Sequence, residues 1–278
     1  MEYDPLIKEQ QLYQFISPPD WYFAICGDLY CEVVERRLPA PGFMRGVTAV
    51  FLSDVHVTRR TTEADMDALA GKVAALKPDL ILLGGDYADE AEHTVRLFRR
   101  LKGLSAPLGA YAVVGNNDRE AFGDLGPLRR LMAESGFELL VNAARPIDLP
   151  GGRLIVAGLD EYRYGHPDPA GLYPSDPAPD AYRLLLSHYP HDVEPMPDLM
   201  LSGHTHGGQF NFLGLTPYAV GFERLLTPHR ASRFIAGLHA FRGGQVLVSK
   251  GIGASRIPLR IGVRPEIEMI RFDSQKNA

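Results

Sequence analysis

The chain has 278 residues, 45% hydrophobic and 23% charged, the balance of a water-soluble globular protein long enough to bury a large core. A formal charge of −5 gives no basic footprint for nucleic acid, and no apolar run approaches the ~18–20 residues needed to span a bilayer. The N-terminus is too acidic for a secretory signal, so the two cysteines, Cys26 and Cys31, read as reduced thiols and the expected location is cytoplasmic.

In chain order, residues 1–45 show no strong period and read as an N-terminal extension, a helix plus an edge strand over CEVVERRL, packing on a main domain of residues 46–278. The amphipathic stretch IKEQQLYQFISPPDWYF within it is the candidate for peripheral contact with a membrane surface. VTAVFLSD then reads as a buried strand. TTEADMDALAGKVAALK has the start signal and the spacing of a helix, with Met66, Leu69, Val73 and Leu76 on one face. DLILLGGD is a strand, HTVRLFRRLKGL a helix, AYAVVGNND a strand, and PLRRLMAESG a helix closed by Gly136. FELLVNAARPIDL and RLIVAGLD read as one strand each, residues 166–180 as a Pro-rich surface loop, and YRLLLSHYP, DLMLSGHTH and QVLVSKGIG as three more strand–turn units. The βαβα order and the continuous apolar strands predict an α/β protein with sheets covered on both faces.

Five strands end in polar turns that share one property. VFLSDVH, LLGGD, VVGNND, LLSHYP and LSGHTH each place metal-capable side chains just past an apolar run, where open α/β sheets locate their sites. Asp54 and His56 are two apart, as are His204 and His206, so in extended backbone each pair projects to one side. Carboxylate, imidazole and amide oxygen together suit manganese, iron or zinc.

The blocks D-x-H, G-D, G-N-x-D, an apolar run ending in His, and G-H-T-H occur in the order of the calcineurin-like metallophosphoesterases, and the chain resembles that superfamily over residues 46–270. DLMLSGHTHGGQ and the tail LVSKGIGASRIPLRIGVRPEIEMI are similar to the bacterial branch of the YkuE and YaeI type, which includes the chlamydial UDP-2,3-diacylglucosamine hydrolase. The resemblance implies a four-layer α/β/β/α sandwich of two mixed sheets flanked by helices, with a binuclear metal site at the strand ends. It assigns Asp54, His56 and His206 to one metal, Asn116, His188 and His204 to the other, and Asp86 to both. Two divalent ions, manganese first, with iron or zinc as alternatives, would generate a bridging hydroxide for in-line attack on phosphorus. Asp118 would orient its neighbours from behind the ligands.

One position departs from the family pattern. Asn117 stands where the motif has histidine, and an amide donates a hydrogen bond but transfers no proton near neutrality. That biases the expected chemistry toward leaving groups already stable as anions, with His166 or His191 as the histidines nearest to fill the gap. The expected function is hydrolysis of phosphodiester or pyrophosphate bonds in a phosphorylated small molecule or nucleotide-linked lipid such as UDP-2,3-diacylglucosamine. The alternatives are a general or cyclic-nucleotide phosphodiesterase and a non-catalytic binding module on the same fold. Arg256 and Arg260, near the Gly-rich GIGAS turn, are candidate phosphate contacts.

Overall fold

The computed structural model describes residues 23–25, 29–173, 180–212, 215–216 and 234–274. The extension's expected helix and Cys26 lie outside them, while Cys31 is a buried free thiol. The strands are β1 (Phe23–Ile25), β2 (Glu32–Ala40), β3 (Thr48–Leu52), β4 (Leu80–Leu83), β5 (Ala110–Ala112), β6 (Glu138–Leu139) and β7 (Ala143–Leu149), then β8 (Gly152–Gly158), β9 (Ala181–Leu186), β10 (Leu199–Ser202), β11 (Gly237–Phe241), β12 (Gly244–Val248), β13 (Leu259–Ile261) and β14 (Glu266–Ser274). The helices are α1 (Glu63–Leu76), α2 (Ala91–Leu101), α3 (Asn116–Phe122) and α4 (Gly126–Glu134).

Two six-stranded mixed sheets form the centre, ordered β2-β14-β3-β4-β5-β6 and β11-β12-β10-β9-β8-β7. Strand alternation divides the apolar side chains among three cores. In β3, Ala49 and Phe51 point between the sheets, where they meet Leu184, Leu186 and Leu201, while Val50 and Leu52 point outward to the helices. α1 returns Met66, Leu69 and Val73 to that outer face, the stripe expected from its spacing, and Thr62 with Asp65 closes a capping box at its start. The outer face of the second sheet is covered, among the described residues, by loop side chains including Leu159, Leu172 and Val193.

The edge strand expected over CEVVERRL is β2, which pairs in parallel with β14 along its whole length. FELLVNAARPIDL, expected as one strand, is two: β6 closes the first sheet and β7 the edge of the second. The break is at Asn142, whose φ of 48° turns the chain, and whose side-chain oxygen accepts the backbone N–H groups of Asp160 and Asp168.

Candidate metal centre

Parallel strands β3, β4 and β5 of the first sheet, and β9 and β10 of the second, end on the same side of the molecule, and the expected ligands stand in the turns that follow. The pairs do not converge by strand alternation. Asp54 (φ 52°), His56 (45°), Asp86 (55°), His204 (69°) and His206 (53°) all adopt left-handed backbone. Five non-glycine residues in that region at one place is the strain that a functional site holds with the surrounding fold. Glycines let the walls approach: a Cβ on Gly203 would lie 2.2 Å from Asp54 Oδ2, and one on Gly115 would lie 2.0 Å from Asp86 Oδ1.

Asp54, His56 and His206 bring one ligand atom each to within 4.8 Å of one another, and so do Asp54, Asp86 and His188. Asp86 Oδ2 is 3.6 Å from His56 Nε2 and 3.4 Å from His188 Nε2, so it faces one imidazole from each set of ligands. His206 Nε2 is 3.5 Å from Asp54 Oδ1. These gaps are too long for good hydrogen bonds and suit a cation lying between the atoms. The other ring nitrogens have acceptors, with His188 Nδ1 2.8 Å from the Gly84 carbonyl and His56 Nδ1 2.9 Å from Asp89 Oδ1. An Nδ1 that donates leaves the lone pair on Nε2, and the Nε2 atoms of His56 and His188 are buried without a hydrogen-bond partner. Buried, orphaned lone pairs opposite carboxylate oxygens are what a divalent cation satisfies. The donor set fits the group.

Burial works against a charged His188, yet Asp86 and Asp54 outweigh it and push its pKa up to about 10. Protons therefore compete with cations for this imidazole. Burial lowers the pKa of His204 and His206 and raises that of Asp54. Asn116 begins α3 and accepts a hydrogen bond at Oδ1 from the Tyr189 hydroxyl, at 3.2 Å. The Tyr189 ring packs 3.8 Å from that of His204, which lies 5.2 Å from His188. Asn116, His188 and His204 thus share one neighbourhood. Asp118 accepts from the backbone N–H groups of Asp86 (2.7 Å), Gly115 (2.8 Å) and Tyr87 (3.0 Å). Burial and the Asp86 charge push its carboxyl up to about 7, while those three donors oppose the shift. It pins the Asp86 turn to the start of α3.

A family model described as calcineurin-like phosphoesterase matches residues 47–208, a span holding all seven expected ligands. The chain belongs to the calcineurin-like phosphoesterase family. It is 30% identical over 251 residues to the uncharacterized metallophosphoesterase YkuE of Bacillus subtilis, covering 87% of this chain and 84% of that one. It is 32% identical over 266 residues to the phosphodiesterase YaeI of Escherichia coli, covering 90% and 92%. A transmembrane protein with metallophosphoesterase domain from Danio rerio is 28% identical over 258 residues, covering 86% of this chain and 56% of that protein. The phosphoesterase described here is a metal-dependent phosphohydrolase, and no helix among its described residues is long and apolar enough to cross a membrane.

Not every expected site residue of this phosphoesterase faces the centre. Arg260 is 0% exposed; its Nε donates to the Gly253 carbonyl at 2.7 Å, and Nη2 donates to the Lys250 carbonyl at 2.8 Å and lies 3.2 Å from His206 Nδ1. A guanidinium buried against these carbonyls behind His206 is placed to position that ring, and its burial does not favour the expected phosphate contact. Arg256 is exposed on its turn. His166 is exposed and donates its backbone N–H to Asp160, and His191 stacks on Tyr189 with ring centroids 5.4 Å apart. Asp160 holds Arg119 of α3 through two bonds, of 2.6 and 3.1 Å, and so braces the helix that begins at Asn116. Two neighbours escaped the sequence reading, Asp89 and Tyr189. Asp89 stands three residues after Asp86 and Tyr189 directly after His188, so adjacency to a ligand was the available signal.

Proposed function

We propose that this phosphoesterase hydrolyses phosphodiester or pyrophosphate bonds whose leaving group is stable as an anion. Asp54, His56, His206, Asn116, His188 and His204 would hold two divalent cations, manganese by preference, with Asp86 shared between them. Two such ions supply Lewis-acid polarisation of phosphoryl oxygens and an acidified water as nucleophile. The chain's own residues do the rest. His56 and His188 would offer Nε2 once the ions displace their protons, Asp118 fixes the Asp86 turn, and glycines let the walls approach Asp54 and Asp86.

The observation that carries the leaving-group preference is Asn117. Its Nδ2 donates to Asp89 at 3.0 Å and its Oδ1 accepts from Asn116 at 2.8 Å, so both ends of the amide are occupied and neither carries a transferable proton. Lost general-acid help costs about 10²–10⁴ in rate where the departing oxygen is a basic alkoxide, and much less for a phosphate or aryl oxide. A nucleotide-linked lipid such as UDP-2,3-diacylglucosamine meets that condition. Exposed Phe212, Leu215 and Ile257 support an apolar substrate portion or a membrane surface. Gln209, three residues after His206, donates to the carbonyls of Ser255, Ile257 and Leu259 and so ties the loop of Ile257 to the ligand loop. The name of the YaeI relative favours a diester, and a general or cyclic-nucleotide phosphodiesterase is the second reading.

Phosphorus NMR of manganese-loaded protein tests this with an alkyl diester, an aryl diester, a phosphomonoester and a UDP-sugar pyrophosphate in one tube, beside a chelated control. Metal-dependent loss of the pyrophosphate or aryl diester with the alkyl diester spared is expected. Alkyl cleavage at a comparable rate would overturn the role given to Asn117.

A further inference from the structure

His56 and Asn116 belong to different halves of the proposed centre and stand at the ends of different strands, yet one carboxylate joins them. Asp89 Oδ1 is 2.9 Å from His56 Nδ1 and 3.0 Å from Asn117 Nδ2, and Asn117 Oδ1 is 2.8 Å from Asn116 Nδ2. The polarity of this chain is dictated from its middle. An ionised carboxylate only accepts, so His56 must carry its proton on Nδ1 and Asn117 must turn its NH₂ group toward Asp89. The Asn117 oxygen then faces Asn116, which must answer with its own NH₂ group. The Asn116 oxygen is left pointing the other way, toward the Tyr189 hydroxyl. Reversing any one group would set donor against donor or acceptor against acceptor.

We propose that Asp89 is a positioning residue that sets both halves of the centre at once: it holds His56 with Nε2 as the free lone pair and, through Asn117, holds Asn116 with its oxygen as the ligand atom. This rests on the binuclear reading above. The Asp89 side chain is 52% exposed, so removing it opens no cavity in the core. One oxygen, Oδ1, accepts both bonds, so an asparagine at 89 can reproduce the arrangement without the charge, whereas alanine cannot.

The test compares wild type, Asp89→Asn and Asp89→Ala. Manganese affinity is measured by competition titration, and the histidine tautomers are read by long-range proton–nitrogen NMR of the zinc-loaded protein. Carboxylates that orient ligating histidines are typically worth 10–100-fold in metal affinity. Asp89→Ala is expected to weaken both ions by that factor and to lose the protected Nδ1 proton of His56, with an unchanged melting curve in chelator. Asp89→Asn should keep that proton and most of the affinity. Equal losses in the two variants would mean that charge alone acts, and weakening of a single ion would mean that the halves are not joined. Either result overturns the proposal, as does wild-type affinity in Asp89→Ala. A wild-type chain that takes up fewer than two ions would instead overturn the binuclear reading and this inference with it.

Discussion

Replacing Gly115 by alanine tests whether the walls of the centre are set by steric contact with Asp86. The backbone at Gly115 (φ −96°, ψ −179°) is extended and accepts alanine without strain, so space alone decides the outcome. The added Cβ would lie 2.0 Å from Asp86 Oδ1, 2.6 Å from Asp86 N and 2.7 Å from Asp86 Cγ, against the 3.0 Å that real Cβ contacts respect. About 1 Å of displacement is therefore required, and each route has a cost. Moving the carboxylate breaks its 2.9 Å bond from the Asn117 N–H, and moving α3 carries Asn116 away. Overpacking costs about 1–3 kcal/mol. A buried hydrogen bond left unmade adds about 1–3 kcal/mol. Urea denaturation in chelator should therefore show a loss of about 2–6 kcal/mol. The manganese-dependent rate on an aryl diester should fall on the order of 10²-fold, the usual effect of a 1 Å misplacement. Gly71 in α1, exposed and with nothing within 4 Å of an added Cβ, is the control, and alanine there should stabilise by about 0.5–1 kcal/mol. A Gly115→Ala protein within about 0.5 kcal/mol of wild type, the ordinary spread of surface substitutions, that also keeps full activity would refute the steric argument.

Two further predictions concern buried charge. Arg260→Met leaves the carbonyls of Gly253 and Lys250 without these donors, which should cost about 1–3 kcal/mol for each carbonyl left unpaired in urea denaturation; an unchanged midpoint would contradict the positioning role. Glu268 is buried beside Arg36 and Glu266, and burial first, with Glu266 adding to it, pushes its pKa up to about 7 from an ordinary 4.5. The folded state then binds more protons than the unfolded state between those values, so this group's contribution to stability is full below about 4.5 and is lost as pH rises toward 7. Urea midpoints at pH 5 and pH 7 in chelator should fall less for Glu268→Gln than for wild type, and parallel profiles would exclude Glu268 as the source.

The candidate centre leaves a mark in the sequence because its expected ligands sit next to apolar strands, and Asp54, His56, Asp86, His188 and His206 do come together in the fold. The α1 stripe was legible for the same reason, since Met66, Leu69 and Val73 repeat at helical spacing. What the sequence hid was conformation and connection. The two-residue spacing of Asp54 and His56 suggested extended backbone, but β3 ends at Leu52 and left-handed turns bring the pair together. α3 begins on a ligand, with Asn116 and Asp118 as its buried residues, so it shows no apolar period. The split of FELLVNAARPIDL depends on Asn142 finding partners at residues 160 and 168, which no local pattern announces. Arg260, near the Gly-rich turn, reads in the sequence as a candidate phosphate contact. The carbonyls that bury it come from residues 250 and 253, visible only once the chain is folded.

The central claim is that these seven side chains hold two metal ions, and metal content measures it directly. Wild type and His188→Ala would each be dialysed to equilibrium against buffered manganese, and ions per chain counted by mass spectrometry. Two ions in wild type and one in His188→Ala is the predicted result, with uptake strengthening as pH rises and protons leave His188. One ion or none in the wild-type protein would contradict the account.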